Sequence, residues 1–239
     1  FSSASAAVTG ADCAVFCAPI LAIPDLARAA APCLAKGCTV TDVGSTKAFL
    51  VKEVAPIVEQ AGAVFVGSHP IAGSEQQGIE SARADLYQGA TVVITPSATT
   101  PLPARQLVEL LWKNVGGVVR TLDAEEHDRI MAATSHFPHV AAALVAITAG
   151  RRGRAEKYGP FCGPGFRDTT RVAEGSGEVW ADILATNRER VLDELQSFKR
   201  ETDGLIDMLS RGDFKALEAF LERARAVRRT LIDREPKAM

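Results

Sequence analysis

Residues 38–67 read CTVTDVGSTKAFLVKEVAPIVEQAGAVFVG, and the fold class follows from this segment. Residues 38–43 and 63–67 are short runs rich in apolar and β-branched residues, which is the composition of buried strands. Between them, residues 46–60 have apolar residues at the three- and four-residue spacing of a helix. A strand, a helix and a second strand in this order indicate a parallel crossover unit, because parallel neighbours need a long connection.

The sequence on either side repeats this alternation. Strands are predicted at residues 12–19, 91–95 and 117–122, and helices at residues 23–34 and 103–114. Apolar strands separated by helices are typical of a doubly wound parallel sheet, so we predict an α/β domain of the nucleotide-binding, Rossmann type. Such a domain normally opens with a G-x-G-x-x-G motif, which this sequence lacks. Either the domain is N-terminally incomplete or the fold is not a dinucleotide-binding one.

The second half of the chain is predicted to be all helical. Asp123 and Glu126 form a capping-box pattern that opens a helix running to about residue 149. A glycine-rich, basic loop is expected at residues 150–177. A long helix is predicted at residues 178–210, and Asp213 is expected to cap a last helix that ends near residue 233. We therefore predict two domains, residues 1–122 and residues 123–239.

Composition and charge argue against several classes of protein. The 239 residues carry a formal net charge of -2, so nothing indicates a nucleic-acid partner. No apolar run reaches the ~20 residues of a membrane span, and no signal peptide is visible, so no membrane partner is expected. The five cysteines match no zinc pattern and are odd in number. They are expected to be free thiols, which indicates a cytoplasmic location.

Two polar segments follow predicted strands, where ligands of open α/β sheets bind. Ser45 and Thr46 follow the strand at residues 38–43. They could offer hydroxyls and backbone amides to a ligand, or one of them could cap the next helix. His69 follows the strand at residues 63–67, with a glycine on either side. It is either a general base, because its ordinary pKa is about 6.5, or a loop histidine held by backbone hydrogen bonds.

The helical half contains an S-H-F-P-H segment at residues 135–139. A proline kink between two histidines is unusual for a purely structural helix. A metal site is not predicted, because no carboxylate or cysteine at helical spacing completes one. His127, in the first turn of the same helix, is expected to be solvated.

The loop at residues 163–171 places Arg167 and Arg171 around Asp168. Arginine recognises carboxylates through paired hydrogen bonds, so this loop is a candidate for binding an acidic ligand. The alternative is an ordinary loop between helices with solvated charges. Trp180, in the following helix, is either a core residue or the wall of a pocket.

Taken in order, these segments resemble the prephenate/arogenate dehydrogenase family. The resemblance covers roughly residues 12–209. It implies NAD- or NADP-dependent oxidative decarboxylation of prephenate or arogenate in tyrosine biosynthesis, a homodimer through the helical domain, and an N-terminally incomplete nucleotide-binding domain. The segments that carry it are D-V-G-S-T-K (42–47), G-S-H-P-I-A-G-S (67–74), S-H-F-P-H (135–139), G-F-R-D-T-T-R (165–171) and W-A-D-I (180–183).

The resemblance also implies roles for individual residues. His69 matches the catalytic histidine, which accepts a hydrogen bond from the ring hydroxyl of the substrate, and Ser45 matches a serine near it. Arg171 matches the arginine that binds a substrate carboxylate. The other matches to the substrate pocket are Ser74, Ser135, His139, Asp168 and Trp180. The matches near the cofactor are Ala18, Pro19, Ser45 and Thr46.

Two rival classes remain open at this point. A hydroxyacid dehydrogenase with an α/β and a helical domain would usually rely on a lysine in the helical domain, and residues 114–156 contain none. A ligand-sensing or scaffold protein that kept the fold is disfavoured by the presence of both His69 and Arg171. Prephenate and arogenate differ only in a keto or amino group, and His139 mildly favours the keto acid.

Overall fold

The structure, a computed structural model, describes residues 3–73 and 82–232. Contacts divide the chain into two compact units, of which the first ends at Val191 and the second begins at Leu192. The first unit contains the α/β half and most of the helical half, including every described residue of the site below. The domain boundary near Leu122 stays a prediction from the sequence.

The described strands of the first unit form two three-stranded sheets, of which the first is parallel throughout, as the sequence predicts for the whole set. Strand β1 (Cys13–Phe16) pairs with β2 (Thr39–Asp42), which pairs with β3 (Val64–Phe65). Strand β2 is buried along its whole length, as expected for a strand in the middle of a covered parallel sheet. Because the strands are parallel, the polar residues that follow β1 and β2 lie at the same edge of the sheet.

The next three strands depart in part from the prediction. Strand β4 (Gly67–Pro70) follows directly after Val66 and includes His69, for which the sequence predicts a loop. Strand β5 (Thr91–Thr95) is antiparallel to β4 and parallel to β6 (Val118–Thr121). A glycine and a proline disfavour a strand, but pairing with the apolar, buried β5 outweighs this local preference.

Four helices accompany these strands. Helix α1 (Ala4–Val8) packs on α2 (Ile23–Ala30), α2 packs on α3 (Ala48–Gln60), and α4 (Leu102–Asn114) packs on β6. Helix α3 turns Leu50, Val54 and Val58 into the core at four-residue spacing, and all three are fully buried. It begins two residues later than predicted, because Thr46 and Lys47 are held by contacts of the site described below.

The helical half begins with α5 (Ala124–Met131), which passes through a π-helical segment (Ala132–His136) into α6 (Phe137–Gly150). Asp123 accepts a hydrogen bond from the Glu126 amide at 2.8 Å, which confirms the predicted cap. A π-helical turn carries an extra residue and is frequent at functional sites. It therefore marks the S-H-F-P-H segment as more than a structural kink.

Two predictions for the following residues are wrong. The predicted loop at residues 150–177 contains two short helices, α7 (Arg154–Tyr158) and α8 (Pro164–Thr170). The single helix predicted at residues 178–210 is two helices, α9 (Gly177–Thr186) and α10 (Arg188–Arg211). Asn187 separates them, with φ -121° and ψ 29°, because its side chain forms hydrogen bonds to other parts of the site.

The second unit comprises α10 from Leu192 onward and α11 (Phe214–Ile232). Asp213 accepts a hydrogen bond from the Ala216 amide, which confirms it as the predicted cap. An ion pair between Arg223 and Glu201 joins the two helices at 2.5 Å. Several large apolar side chains of this unit are exposed: Leu192, Phe198, Ile206, Leu209, Phe214, Leu221, Val227, Leu231 and Ile232.

One helical stretch, Ala124–Gly150, is long and apolar enough to cross a membrane by length and composition. This is weak evidence for a span, since the core helix of a soluble protein passes the same test. The stretch also contains four buried polar side chains that contribute to the site: His127, Asp128, His136 and His139.

Candidate active site

A cavity of about 400 Å³ lies in the first unit. Four parts of the chain form its walls. They are the turn after β2, strand β4 with the residues that follow it, the π-helical segment with α6, and helix α9 with the 3-10 turn before it. This is the carboxyl edge of β2, where open α/β sheets bind their ligands. Six residues predicted for the site line the cavity: Ser45, His69, Ser135, His139, Arg171 and Trp180.

The chain has four histidines, and all of them are buried at this place. His69, His136 and His139 line the cavity, and His127 lies behind His69. A set of buried imidazoles costs desolvation energy that a purely structural core avoids, so their concentration here indicates a functional site.

His69 is held by β4, with 8% of its surface exposed. Its Nδ1 lies 2.9 Å from Nε2 of His127, and the two rings meet edge to face. Burial lowers the pKa of His69 well below 6.5, and unfavourable electrostatic interactions of its cation with His127, Lys47 and His136 lower it further. His69 is therefore neutral at neutral pH, which is the protonation state of a general base.

The expectation that His127 is solvated is wrong, because the residue is fully buried. Its Nδ1 lies 2.8 Å from Oδ1 of Asp128, which is also fully buried. Positions 127, 128 and 131 of α5 and position 132 at the start of the π-helical segment are all buried, a spacing that indicates one inward helix face. The solvated interpretation rested on the place of His127 in the first turn of the predicted helix.

Asp128 connects this helix to the start of α3. Its Oδ1 accepts a hydrogen bond from the Lys47 amide at 2.7 Å, and its Oδ2 accepts one from the Ala48 amide at 2.9 Å. The amides at a helix N-terminus have no partner within the helix, and a carboxylate satisfies them well. Asp128 is therefore fixed in position by two backbone donors.

A buried ion pair between Lys47 and Asp42 fixes the strand that carries His69. Lys47 Nζ donates a hydrogen bond to the Ser68 carbonyl at 2.7 Å, and Asp42 Oδ1 accepts one from the Ser68 amide at 3.1 Å. Burial lowers the pKa of Lys47, and the adjacent Asp42 carboxylate opposes that shift. Because both backbone groups of Ser68 are bound, the neighbouring His69 is held in register.

His136 is oriented by Asn187, which is also buried. Asn187 Nδ2 donates to the Asp128 carbonyl at 2.7 Å and lies 3.1 Å from His136 Nδ1, while Asn187 Oδ1 accepts from Arg190. The amide nitrogen is thus the donor, so His136 Nδ1 accepts and Nε2 carries the proton. Burial lowers the pKa of His136 to about 4; Asp128 opposes that shift, and His127 adds to it.

The cavity contains two buried ring nitrogens without a normal hydrogen bond. Among the described residues, no group makes one with His136 Nε2 or with His139 Nδ1. The backbone of Ser45 is close enough to His136 to favour its protonated form, although not in hydrogen-bond geometry. Buried polar atoms usually have partners, so these two nitrogens are suited to binding the polar groups of a ligand.

The remaining predicted site residues occupy different environments. Ser45 and Ser135 are half-buried. Arg171 is exposed on a short 3-10 turn (Arg171–Glu174). Thr46 is fully buried, and its hydroxyl is bonded to that of Thr186 at 2.9 Å.

Besides Thr46, three predicted positions are not among the residues that line this cavity, and one cannot be placed. Ala18 is half-buried and Pro19 is exposed, in the segment between β1 and α2. Asp168 is exposed on α8 and is not among the residues that line the cavity. Ser74 lies outside the described residues.

Comparison with known proteins gives consistent matches over nearly the whole chain. The family model for the nucleotide-binding domain of prephenate dehydrogenase matches residues 2–121, and the model for its dimerization domain matches residues 123–223. The cyclohexadienyl dehydrogenase of Zymomonas mobilis is 34% identical over 92% of this chain and 75% of its own length. The prephenate dehydrogenase of Bacillus subtilis is 35% identical over 79% of this chain, which spans about half (51%) of that relative.

A solved structure agrees with these matches. The prephenate dehydrogenase of Aquifex aeolicus, in complex with hydroxyphenyl propionate and NAD+, superimposes with a TM-score of 0.84 at 31% identity, over 92% of this chain and 76% of that one. The predicted fold class, a Rossmann-type domain followed by a helical domain, is confirmed, and so is NAD or NADP as the class of cofactor. The chain belongs to the prephenate dehydrogenase family.

Proposed function

We propose that the protein containing this chain oxidatively decarboxylates prephenate to 4-hydroxyphenylpyruvate and transfers a hydride to NAD+ or NADP+, a step of tyrosine biosynthesis. The observation that carries this proposal is the placement of His69. Its Nδ1 is engaged with His127, so Nε2 is the ring nitrogen left for a ligand in a cavity that Arg171 also lines. A neutral base and a guanidinium in one cavity suit a substrate that has both a hydroxyl and carboxylates.

The chemistry requires a base and an oriented substrate, and it requires neither a metal nor a covalent nucleophile. His69 Nε2 accepts the proton of the ring hydroxyl, while hydride leaves the ring carbon that bears this hydroxyl. The ring carboxylate is then lost as carbon dioxide, and its bonding electrons make the ring aromatic and place negative charge on the ring oxygen. That oxygen regains a proton, so one substrate and one oxidised cofactor give one phenol, one carbon dioxide and one reduced cofactor.

The other cavity residues bind and orient the substrate in this proposal. Arg171 binds a carboxylate, and Ser45 and Ser135 supply hydroxyls beside the ring. His139, stacked on Trp180, closes the opposite wall. Ser74 and Asp168 stay proposed contacts on the basis of the family resemblance alone.

The cofactor is proposed to lie along the carboxyl ends of β1 and β2, near Ala18, Pro19, Ser45 and Thr46. When bound, it supplies the hydride acceptor. The protonated Nε2 of His136 fits this assignment, because it is a buried donor whose tautomer is fixed by Asn187. The hydroxyl of Thr46 is already bonded to Thr186, so we propose that Thr46 contributes through its backbone.

A homodimer in the cytoplasm completes the proposal. The match to a dimerization domain and the exposed apolar residues of α10 and α11 support the dimer. The five cysteines are unpaired, and burial raises the pKa of the Cys13, Cys17 and Cys38 thiols. Unpaired, weakly reactive thiols are in keeping with a reducing compartment.

Arogenate is the second candidate substrate. The name of the Zymomonas mobilis relative specifies the cyclohexadienyl ring, which arogenate shares with prephenate. Steady-state kinetics of the full-length protein with each substrate and each cofactor decide between them. We expect the highest kcat/KM with prephenate. A preference for arogenate would overturn the choice of substrate, and no turnover in any of the four combinations would overturn the enzymatic proposal.

A further inference from the structure

We infer that His127 and Asp128 are positioning residues that hold His69 in the tautomer with its proton on Nδ1, so that the unprotonated Nε2 faces the cavity. The catalytic part of this inference rests on the proposed function, in which His69 is the base. The tautomer itself follows from the contacts around a neutral His127 and does not depend on the reaction.

The hydrogen bonds fix each proton in turn, starting from Asp128. A carboxylate has no proton to donate, so in the contact of 2.8 Å with Asp128 Oδ1 the donor is His127 Nδ1. A neutral imidazole carries one proton, so His127 Nε2 is an acceptor. In the contact of 2.9 Å between the two rings, His69 Nδ1 must then be the donor, and His69 Nε2 is left without a proton.

The starting point of this chain of bonds is rigid. Asp128 is fully buried and receives backbone amides from Lys47 and Ala48 on its two oxygens. Rotation of the carboxylate would break both bonds at the N-terminus of α3 and leave two buried amides without a partner, which is unfavourable. The carboxylate therefore presents Oδ1 to His127 in one orientation.

The same arrangement affects the charge that forms when His69 accepts a proton. The Asp128 carboxylate lies at the far end of the His69–His127 pair, 2.8 Å from His127 Nδ1, and a nearby anion stabilises a cation in general. The groups opposing the cation are the Lys47 ammonium and the rings of His127 and His136, together with burial. Asp42, the partner of Lys47, offsets part of that lysine charge. We call the hydrogen-bonded series Asp128–His127–His69 the relay. It orients a base that is neutral at rest, and it gives the protonated form of that base an anionic partner.

Nitrogen-detected NMR of the uniformly 15N-labelled full-length protein tests the tautomers without any reaction. The chain has only four histidines, and the His69→Asn variant identifies the signals of His69. We expect a protonated Nδ1 and a bare Nε2 on both His69 and His127, and the opposite tautomer on His136, whose Nδ1 accepts from Asn187. A proton on Nε2 of His69 in the wild-type protein would overturn the relay.

Two substitutions of His127 test the positioning role. His127→Leu has a similar volume but no acceptor for His69 Nδ1, so we expect kcat to fall by about tenfold or more, with the KM of prephenate changed much less. His127→Gln keeps an oxygen near the former Nε2 and should recover most of kcat. Met131→Leu, one turn along the same buried helix face, is the packing control and should leave both kcat and the His69 tautomer unchanged.

The outcomes separate the relay from the proposed function. Wild-type kcat in His127→Leu, or an unchanged His69 tautomer in that variant, would overturn the positioning role. Equal losses in the Gln and Leu variants would do the same, because the loss would then reflect packing alone. If the protein turned over neither substrate, the wild-type NMR spectrum would still decide whether the relay exists.

Discussion

The rings of His139 and Trp180 stack almost face to face, with centroids 3.4 Å apart and planes inclined by 15°. His139 comes from α6 and Trp180 from α9, so the stack joins two helices at the cavity wall. Burial lowers the pKa of His139, which keeps its ring neutral. Gly175 packs against both rings: a Cβ at this position would lie 2.5 Å from Trp180 Nε1 and 3.1 Å from His139 Cε1.

The first prediction concerns Gly175→Ala. The added methyl group must displace the Trp180 ring, so the KM of prephenate should rise several-fold and the tryptophan fluorescence should shift. Gly177→Ala is a matched control in the same segment, because a Cβ there meets nothing within 4 Å. Identical KM values for the two variants would show that the stack does not shape the substrate pocket.

The second prediction concerns the pH dependence of the reaction. The base must be unprotonated to act, and burial together with the charges around it lowers the pKa of His69 well below 6.5. The acid limb of kcat/KM should therefore lie below pH 6.5, with activity at pH 6.5 close to its plateau. The residual rate of His69→Asn should lack this limb. A wild-type profile already at half its maximum at pH 6.5 would contradict the burial of a neutral base.

The third prediction concerns Arg171. Arg171→Ala should raise the KM of prephenate by roughly tenfold. This is the lower end of the range for losing a hydrogen bond to a charged group, and we expect the lower end because the Arg171 side chain is exposed. Arg171→Lys should recover only part of the loss, since a lysine cannot form the paired hydrogen bonds. The affinity for the cofactor should barely change.

Arg167→Ala is the matched control for this measurement. Arg167 is also exposed, but it donates to the Cys162 carbonyl and is not among the residues that line the cavity. Its substitution should leave KM unchanged. An unaltered KM in Arg171→Ala, with a lowered melting temperature, would remove Arg171 from the substrate site.

The fourth prediction concerns the dimer. Ile206 and Leu209 of α10 are each 55% exposed, and we expect them to be covered by a second copy of the chain. Leu209→Asp should shift the protein toward the monomer in light scattering at micromolar concentration. Gln196→Asp, on the same helix, adds the same charge at an exposed polar position and should stay dimeric. A monomeric wild-type protein would contradict this assembly.

The sequence was sufficient to predict the α/β class and much of the cavity wall. Ser45, His69, Ser135, His139, Arg171 and Trp180 lie in short motifs of distinctive composition, and all six line one cavity. The placement of His69 in a strand was missed because local propensity disfavours Gly67–Pro70 as a strand. Its pairing with β5 is a long-range contact that local sequence does not encode.

The buried residues that hold the site in place were harder to predict, again because their contacts are long-range. Lys47, His127 and Asp128 have side chains that usually face solvent, and only their hydrogen bonds make burial tolerable. The Lys47 ammonium bonds to Asp42 and the Ser68 carbonyl, His127 bonds to Asp128, and Asp128 accepts the backbone amides of Lys47 and Ala48. Those partners are about 80 residues apart in the case of Lys47 and Asp128. A pattern of polar and apolar residues along one segment cannot show that such partners meet.

The central claim, that His69 is the base of an NAD(P)-dependent oxidative decarboxylation, is tested most directly by one comparison. Reduced cofactor and carbon dioxide are measured together at saturating prephenate, for the wild-type protein and for His69→Asn of equal melting temperature. We predict equimolar amounts of both products from the wild-type protein. In the variant, kcat should fall by about 100-fold or more, while the KM of prephenate stays nearly unchanged. A His69→Asn protein with near-normal kcat would contradict the account.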